Sequence, residues 1–221
     1  PTEIVPTSAE LAAAVSANDA AIITLGRISG EFLDRTRDNF NLAAEELQLI
    51  KNVSRAFQAA GKKVIVVLNI GGVIETASWN KIPDAVLLAW QAGQEGGNSV
   101  ADVLAGKVSP SGKLPMTWPI SLDDHASTKN FPRAEEFNLD LSIFMGGENA
   151  ENAEPREFWD YTNHSEGIFV GYRWFDKQNL AVSYPFGFGL SYSSFEYSGA
   201  TVASENGQVT VKVYAKNTGA V

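Results

Sequence analysis

The sequence predicts an α/β fold, a three-layer α/β/α sandwich on a mostly parallel sheet, followed by the start of an antiparallel β-sandwich. Three observations carry that prediction. The first half alternates short apolar runs with stretches of helical period. The apolar runs are continuous, as strands covered on both faces are. The end of the chain switches to a period of two around Glu205-Asn206-Gly207, a hairpin signal.

The elements follow in order. Thr7-Ser8-Ala9-Glu10 has the spacing of a capping box, with Thr7 at the N-cap and Glu10 reaching back, ahead of the helix-prone LAAAVSA. AAIITL (20–25) is a short apolar strand. From Asn41 onward Leu42, Leu47, Ile50, Val53 and Phe57 recur at helical spacing, and Gly61 supplies the stop. KKVIVVLNIG (62–71) is a second strand. A short helix is expected over 74–79, a third strand at DAVLLAW (84–90), and a helix at GNSVADVLAG (97–106). Such alternation builds a parallel sheet with helices on both faces. Residues 120–164 then turn polar and lose periodicity, which is unusual inside a compact domain. EGIFVGYRWFD (166–176) reads as a strand, and YPFGFGLSYSSFEYSG (184–199) is aromatic and glycine-rich. Two alternating strands close the chain. A β-sandwich needs about seven, so the expectation is a fragment cut inside its last domain.

Composition narrows the chemistry. Acids outnumber bases, 26 to 17, for a net charge of −9. Nucleic acid or an anionic membrane would call for a basic surface, so neither is expected as a partner. The absence of cysteine removes thiol catalysis, disulfides and cysteine-ligated metals, and leaves the redox compartment open. No apolar run reaches the roughly 20 residues that span a bilayer. No signal peptide is visible and the chain begins at Pro1, as a mature or trimmed product would.

In an open parallel sheet, ligands bind beyond the carboxyl ends of the strands. Three polar loops are expected there. The loop after AAIITL carries Arg27, Ser29, Glu31, Asp34 and Arg35. The loop after VIVVL carries Asn69, Gly71 and Gly72, and the loop after AVLLAW carries Gln91, Gln94, Glu95 and Asn98. Glutamates beside Asn, Gln and Arg suit sugar hydroxyls and acid–base chemistry. Other chemistries lack their residues. There is no G-x-S-x-G elbow, and His125 and His164 lie in the polar segment and read as surface residues. No metal-ligand spacing, dinucleotide fingerprint or P-loop follows a strand, so no metal or cofactor is expected.

Taken alone, Glu31 reads as a solvated loop acid. Glu95 has a structural reading too, as a carboxylate accepting backbone N–H bonds at the start of the 97–106 helix. Trp79, Trp90, Trp118 and Trp174 sit in patterned segments and are expected in the core. Phe158, Trp159 and Tyr161 fit either a sugar-stacking wall or a packing cluster.

Five blocks then occur in order: GRISGEFLDR with FNLAAEELQLIKNV, KKVIVVLNIGGVIETASW, AVLLAWQAGQEGGNSVADVLAGKVSPSGKLPMTWP, EGIFVGYRWFD and YPFGFGLSYSSFEYS. Together they resemble the second and third domains of family 3 glycoside hydrolases, the β-glucosidase-like enzymes, over nearly all of the chain outside 120–164. In that family a (β/α)8 barrel supplies a nucleophilic aspartate. An α/β sandwich supplies an acid/base glutamate, and a fibronectin type III-like domain follows. The family's acid/base segment reads Ser-Gly-Glu-Gly-x-Asp-Arg, and here the residues are Ser29-Gly30-Glu31-Phe32-Leu33-Asp34-Arg35.

The resemblance therefore implies Glu31 as the catalytic acid/base, with Glu95 the alternative. It implies Ser29, Asp34 and Arg35 as loop support, Asp34 pairing with Arg35. Phe32 stands where the family has glycine, and a ring there narrows the aglycone side or redirects the loop. Phe32, Asn69 and Trp159 are candidate substrate contacts, with Asn69 read first as a tie between loops. The implied reaction is retaining hydrolysis of terminal β-linked glucose, or a related sugar, from glycosides or oligosaccharides. Its nucleophile lies on a barrel domain that is the missing part of the same polypeptide or a separate chain, so this chain alone is expected to be inactive.

The implied division is 1–119 for the sandwich (incomplete at its N-terminus), 120–165 for the irregular segment, 166–195 for a connecting strand and the aromatic stretch, and 196–221 for a truncated fibronectin type III-like domain. A homodimer of the complete enzyme and a periplasmic or secreted location fit the same resemblance. Two other readings stay open: a non-catalytic carbohydrate-binding or scaffold module, and an unrelated α/β ligand-binding domain.

Overall fold

A computed structural model of the chain describes residues 5–28, 35–129 and 164–221. The chain divides into two compact units, Pro1–Ala92 with Met116–Phe186, and Gly93–Pro115 with Gly187–Val221.

The first unit opens with helix α1, Ser8–Ala17. Its capping box is formed: Thr7 Oγ1 accepts from the Glu10 backbone N at 3.3 Å, and a Glu10 carboxylate oxygen accepts from the Thr7 N at 2.8 Å. Strand β1, Ala20–Arg27, runs two residues past the expected end, which puts Arg27 in the sheet. Helix α2, Ala44–Ala59, buries Ile50, Val53 and Phe57 on one stripe against β1 and β2. It stops at Gly61, whose φ of 72° lets its N–H reach the Gln58 carbonyl while Lys62 N–H reaches Phe57, a Schellman cap.

Strand β2, Lys63–Ile70, is central, and β1 and β3, Ala85–Leu88, flank it in parallel. Register pairs Leu25 with Leu68 and Arg27 with Ile70, so all three strands leave by the same edge. On the α2 side Ile23, Leu25, Val64, Val66, Leu68 and Ile70 are buried. On the opposite face of β1, Ile22 is 58% exposed. The two faces of β1 thus show the strict alternation of a strand covered on one side.

Two expectations in this unit are corrected. No helix forms over 74–79. A single turn closes there, with Asn80 N–H on the Thr76 carbonyl at 2.9 Å and the Trp79 indole N–H on the Glu75 carbonyl at 2.7 Å. One turn cannot recover the cost of nucleation unless the helix continues, and Pro83 prevents that. The 166–176 segment is not a strand either. It holds helix α4, Tyr172–Gln178. Gly171 at φ 60° breaks any extended run, Phe175 is buried, and the Trp174 indole donates to the Asp124 carbonyl. Asn179 at φ 50° ends the helix in a left-handed conformation. Beyond α4, strand β5 (Val182–Tyr184) pairs antiparallel with the two-residue β4, Trp118–Pro119. Trp118 is buried between the rings of Trp90 and Tyr184.

In the second unit helix α3, Gly96–Leu104, is followed by Gly106 at φ 72°. The Tyr192 hydroxyl donates to the Val103 carbonyl near its end. Strands β6, Phe195–Glu205, and β7, Gln208–Asn217, form the expected hairpin. Its two-residue turn has both Asn206 and Gly207 at positive φ, 51° and 78°, the type I′ geometry whose twist matches the flanking strands. Parallel sheet, helices and antiparallel strands together are the α/β class with appended β-structure that the sequence predicts.

Candidate active site

The segment that carries Ser29, Gly30, Glu31, Phe32 and Asp34 lies outside the described residues, as does Trp159. What the structure defines is the frame on either side of it. Arg27 is the last residue of β1, and Ile28 after it is 94% exposed.

The Arg27 side chain turns back and is nearly buried. Its two terminal nitrogens fork onto both Glu46 oxygens at 2.5 and 2.6 Å, with only 8% and 4% of the two side chains exposed. The same guanidinium donates to the carbonyls of Gly26, Asn39 and Asn41. Glu46, in the first turn of α2, also accepts from the Ala43 N–H at 2.8 Å. Each polar group of this buried pair is therefore matched, the condition under which an ion pair tolerates burial.

Arg35 re-enters on the far side of the segment. Its Nε donates to Asn39 Oδ1 at 2.8 Å, one terminal nitrogen to the Asn39 carbonyl at 2.8 Å, and the other to the Val73 carbonyl at 3.0 Å. The Val73 contact stitches the loop after β1 to the loop after β2. Glu75 N–H on the Phe40 carbonyl, 2.7 Å, makes a second stitch, with Phe40 buried beneath. Gly72 gives this crossing room: a Cβ there would lie 3.1 Å from an Arg35 terminal nitrogen, which would have to shift by a few tenths of an ångström. Burial, and secondarily the charge of Arg27, pull the Arg35 guanidinium below its usual range.

The other sequence candidates stand as follows. Arg35 is bonded to Asn39 and to the Val73 carbonyl, and Asp34, its expected partner, lies outside the described residues. Asn69 is not in a loop: it belongs to β2, opposite Gly26, with its side chain exposed at the carboxyl end of the sheet. Glu95 precedes α3 but makes no side-chain cap to the helix backbone. Its carboxylate accepts from the Asn98 amide at 2.6 Å in an exposed position. The backbone-capping role is therefore corrected to a side-chain contact, because the Glu95 backbone is not in the extended conformation a capping residue adopts. His164 is exposed. His125 is not a simple surface residue: its ring meets Phe175 edge-on at 5.3 Å, and burial pushes its pKa down against the opposing charge of Asp124. Among the described residues no group of three or more His, Cys, Asp or Glu is placed to hold a metal, and no helix is long and apolar enough to cross a membrane.

Glu46 and Asn39 are the residues that sequence reasoning missed. Glu46 reads as an ordinary first-turn acid, and its partner lies 19 positions earlier. The one available signal was its phase: four residues before Ile50, it falls on the buried stripe of α2.

The chain is similar to known proteins over most of its length. Residues 5–192 match the profile of the glycosyl hydrolase family 3 C-terminal domain. The chain is 36% identical over 204 residues to the exo-α-(1→6)-L-arabinopyranosidase of Bifidobacterium longum, covering 90% of this chain and 23% of that protein. It is 35% identical over 215 residues to β-glucosidase A of Butyrivibrio fibrisolvens, covering 84% and 22%. Among solved structures, β-glucosidase 3B from Thermotoga neapolitana in complex with glucose superimposes with a TM-score of 0.79 at 41% identity, covering 97% of this chain and 27% of that one. The chain thus spans roughly a quarter of the length of the relatives it matches.

Proposed function

The chain belongs to glycosyl hydrolase family 3, as its C-terminal domain, and from that premise we propose that it carries the acid/base half of a retaining β-glycosidase. The substrate class is a glycoside or oligosaccharide ending in β-linked glucose or a related sugar. The β-glucosidase and L-arabinopyranosidase names of its relatives point to pyranosides. Glu31 is the acid/base. Its partner is an aspartate on a (β/α)8 barrel domain outside this chain, and the two carboxyls work about 5–5.5 Å apart.

The reaction takes two steps. The barrel aspartate bonds to the anomeric carbon as the glycosidic C–O bond breaks, and Glu31 gives its proton to the departing oxygen. The Glu31 carboxylate then removes a proton from water, whose oxygen displaces the aspartate and releases the sugar with its original configuration. Ser29 and Asp34 support the loop with Arg35, and Phe32, Asn69 and Trp159 contact substrate. The domain division at residues 119, 165 and 195 belongs to the same reading.

The observation that supports this reading is the frame on either side of residues 29–34: β1 ends with Arg27 at the carboxyl edge of a parallel sheet, where such sheets hold ligands, and Arg27 and Arg35 donate to the same Asn39 carbonyl. In the complete enzyme, Glu31→Ala is expected to lower kcat/KM on a phenyl β-glucoside by about 10²–10⁴-fold. Azide is expected to restore part of the turnover of an activated aryl β-glucoside in that variant. Glu95→Ala is expected to show neither the loss nor the rescue. Near-normal turnover by Glu31→Ala on the phenyl substrate overturns the assignment.

A further inference from the structure

Arg27 and Glu46 form a buried ion pair at a place where stability does not ask for one. Two apolar side chains of similar volume would fill the space between β1 and α2 without desolvating charge. What an apolar pair could not do is set direction. The guanidinium of Arg27 is planar and its donors are fixed in a fork. With both Glu46 oxygens at 2.5 and 2.6 Å, Gly26 at 2.8 Å, and Asn39 and Asn41 at 3.2 Å, its orientation is determined from four directions.

Arg35 is held in the same manner, and the two share an acceptor: the Asn39 carbonyl takes one hydrogen bond from each, at 3.2 and 2.8 Å. The chain therefore departs from one guanidinium-bearing residue at the end of β1 and returns to another, both hung from one oxygen. Asn39 itself sits on a short 3-10 turn, 38–40, whose Phe40 is buried and whose carbonyl is bonded to Glu75. Both ends of the intervening segment are thus tied to the core of the unit.

We propose that Glu46, acting through Arg27, and Asn39, acting through Arg27 and Arg35, are positioning residues for the proton donor carried between those two arginines. This rests on the assignment of Glu31 as acid/base. Neither residue touches substrate. Their effect is to hold both ends of the segment so that the donor meets the leaving oxygen without a search, and a misplacement of about 1 Å at such a site costs on the order of 10²-fold in rate.

The test separates positioning from plain structural support. Protonation matters for a phenyl β-glucoside and hardly at all for a 2,4-dinitrophenyl β-glucoside, whose leaving group departs as the anion. In the complete enzyme, Glu46→Gln removes the charge and turns one acceptor into a donor facing Arg27. Its kcat/KM on the phenyl substrate is expected to fall at least about 10-fold, while the dinitrophenyl value changes less than about 3-fold. Azide, which substitutes for a missing acid/base, is expected to rescue Glu31→Ala but not Glu46→Gln.

Asn39→Ala keeps the shared carbonyl and the Arg27–Glu46 pair and removes only the Oδ1 acceptor of Arg35. It is expected to show the same substrate dependence to a smaller degree, and it decides the matter if Glu46→Gln does not fold. Equal losses on both substrates, or no loss on either, overturn the proposal while Glu31→Ala keeps its substrate-dependent loss. If Glu31→Ala shows no such dependence, the acid/base assignment fails first and the positioning role falls with it.

Discussion

Asp84 shows how a single side chain can make this fold acid-sensitive. Its carboxylate, ahead of β3, takes a hydrogen bond from Lys63 Nζ at 2.7 Å, from the Val64 backbone N at 3.0 Å and from the Gln58 amide at 3.2 Å. The Lys63 contact leads these in holding its pKa at about 2, below the ordinary 3.8. A carboxyl whose folded pKa is depressed stabilises the fold above its unfolded pKa, and that stabilisation disappears as pH falls through the folded value. Asp84→Asn is therefore expected to lower stability near neutral pH, with the difference from the parent chain shrinking below pH 3.8 and vanishing towards pH 2. Unfolding midpoints across that range check it, and a pH-independent difference would contradict it. At the opposite edge of the same strands, Arg27 and Glu46 illustrate what a residue list hides. Arg27 was visible as a loop cation beside the site, but its burial and its partner were not, because both depend on how α2 is laid across β1.

The elements divide by the range of the interactions that make them. The capping box at Thr7 and Glu10, the glycine stop of α2 and the Asn206-Gly207 turn form where the sequence places them, since each depends on residues within one turn of each other. Helix α4 does not follow its apparent pattern. EGIFVGYRWFD has the aromatic and β-branched content of a strand, and the contacts of Trp174 with Asp124 and of Phe175 with His125 override it. A further consequence belongs to the second unit, where residues 112–114 run against 187–189. Leu114 N–H donates to the Phe188 carbonyl and Gly187 N–H to the Leu114 carbonyl, both at 2.8 Å. A Cβ on Gly189 would sit 2.2 Å from the Gly112 carbonyl oxygen, a contact with backbone that no rotamer can relieve. Gly189→Ala is expected to destabilise this unit by about 1–3 kcal/mol, as overpacking does. Denaturant unfolding measures it, and an unchanged midpoint would show that the two segments separate freely.

For the molecule as a whole, the reading of Glu31 as half of a carboxylate pair has a direct consequence. The purified 221-residue chain is expected to release no detectable product from an aryl β-glucoside, whereas an assembly that includes the barrel does. Robust hydrolysis by the isolated chain would place both carboxyls within it and overturn the shared-site reading.

The three parallel strands, helices α1 to α3 and the closing hairpin were legible in the sequence, because periodicity and turn chemistry act over a few residues. The family blocks around Glu31 were legible in the same way, as a run of neighbours. Tertiary structure alone decided that Arg27 is buried on Glu46, that Arg27 and Arg35 meet at the Asn39 carbonyl, and that 172–178 coils into a helix. The contacts that decide them, Arg27 with Glu46 and with Asn39 and Trp174 with Asp124, join residues 12 to 50 positions apart, and contacts at that range depend on which faces pack together, which no local pattern encodes.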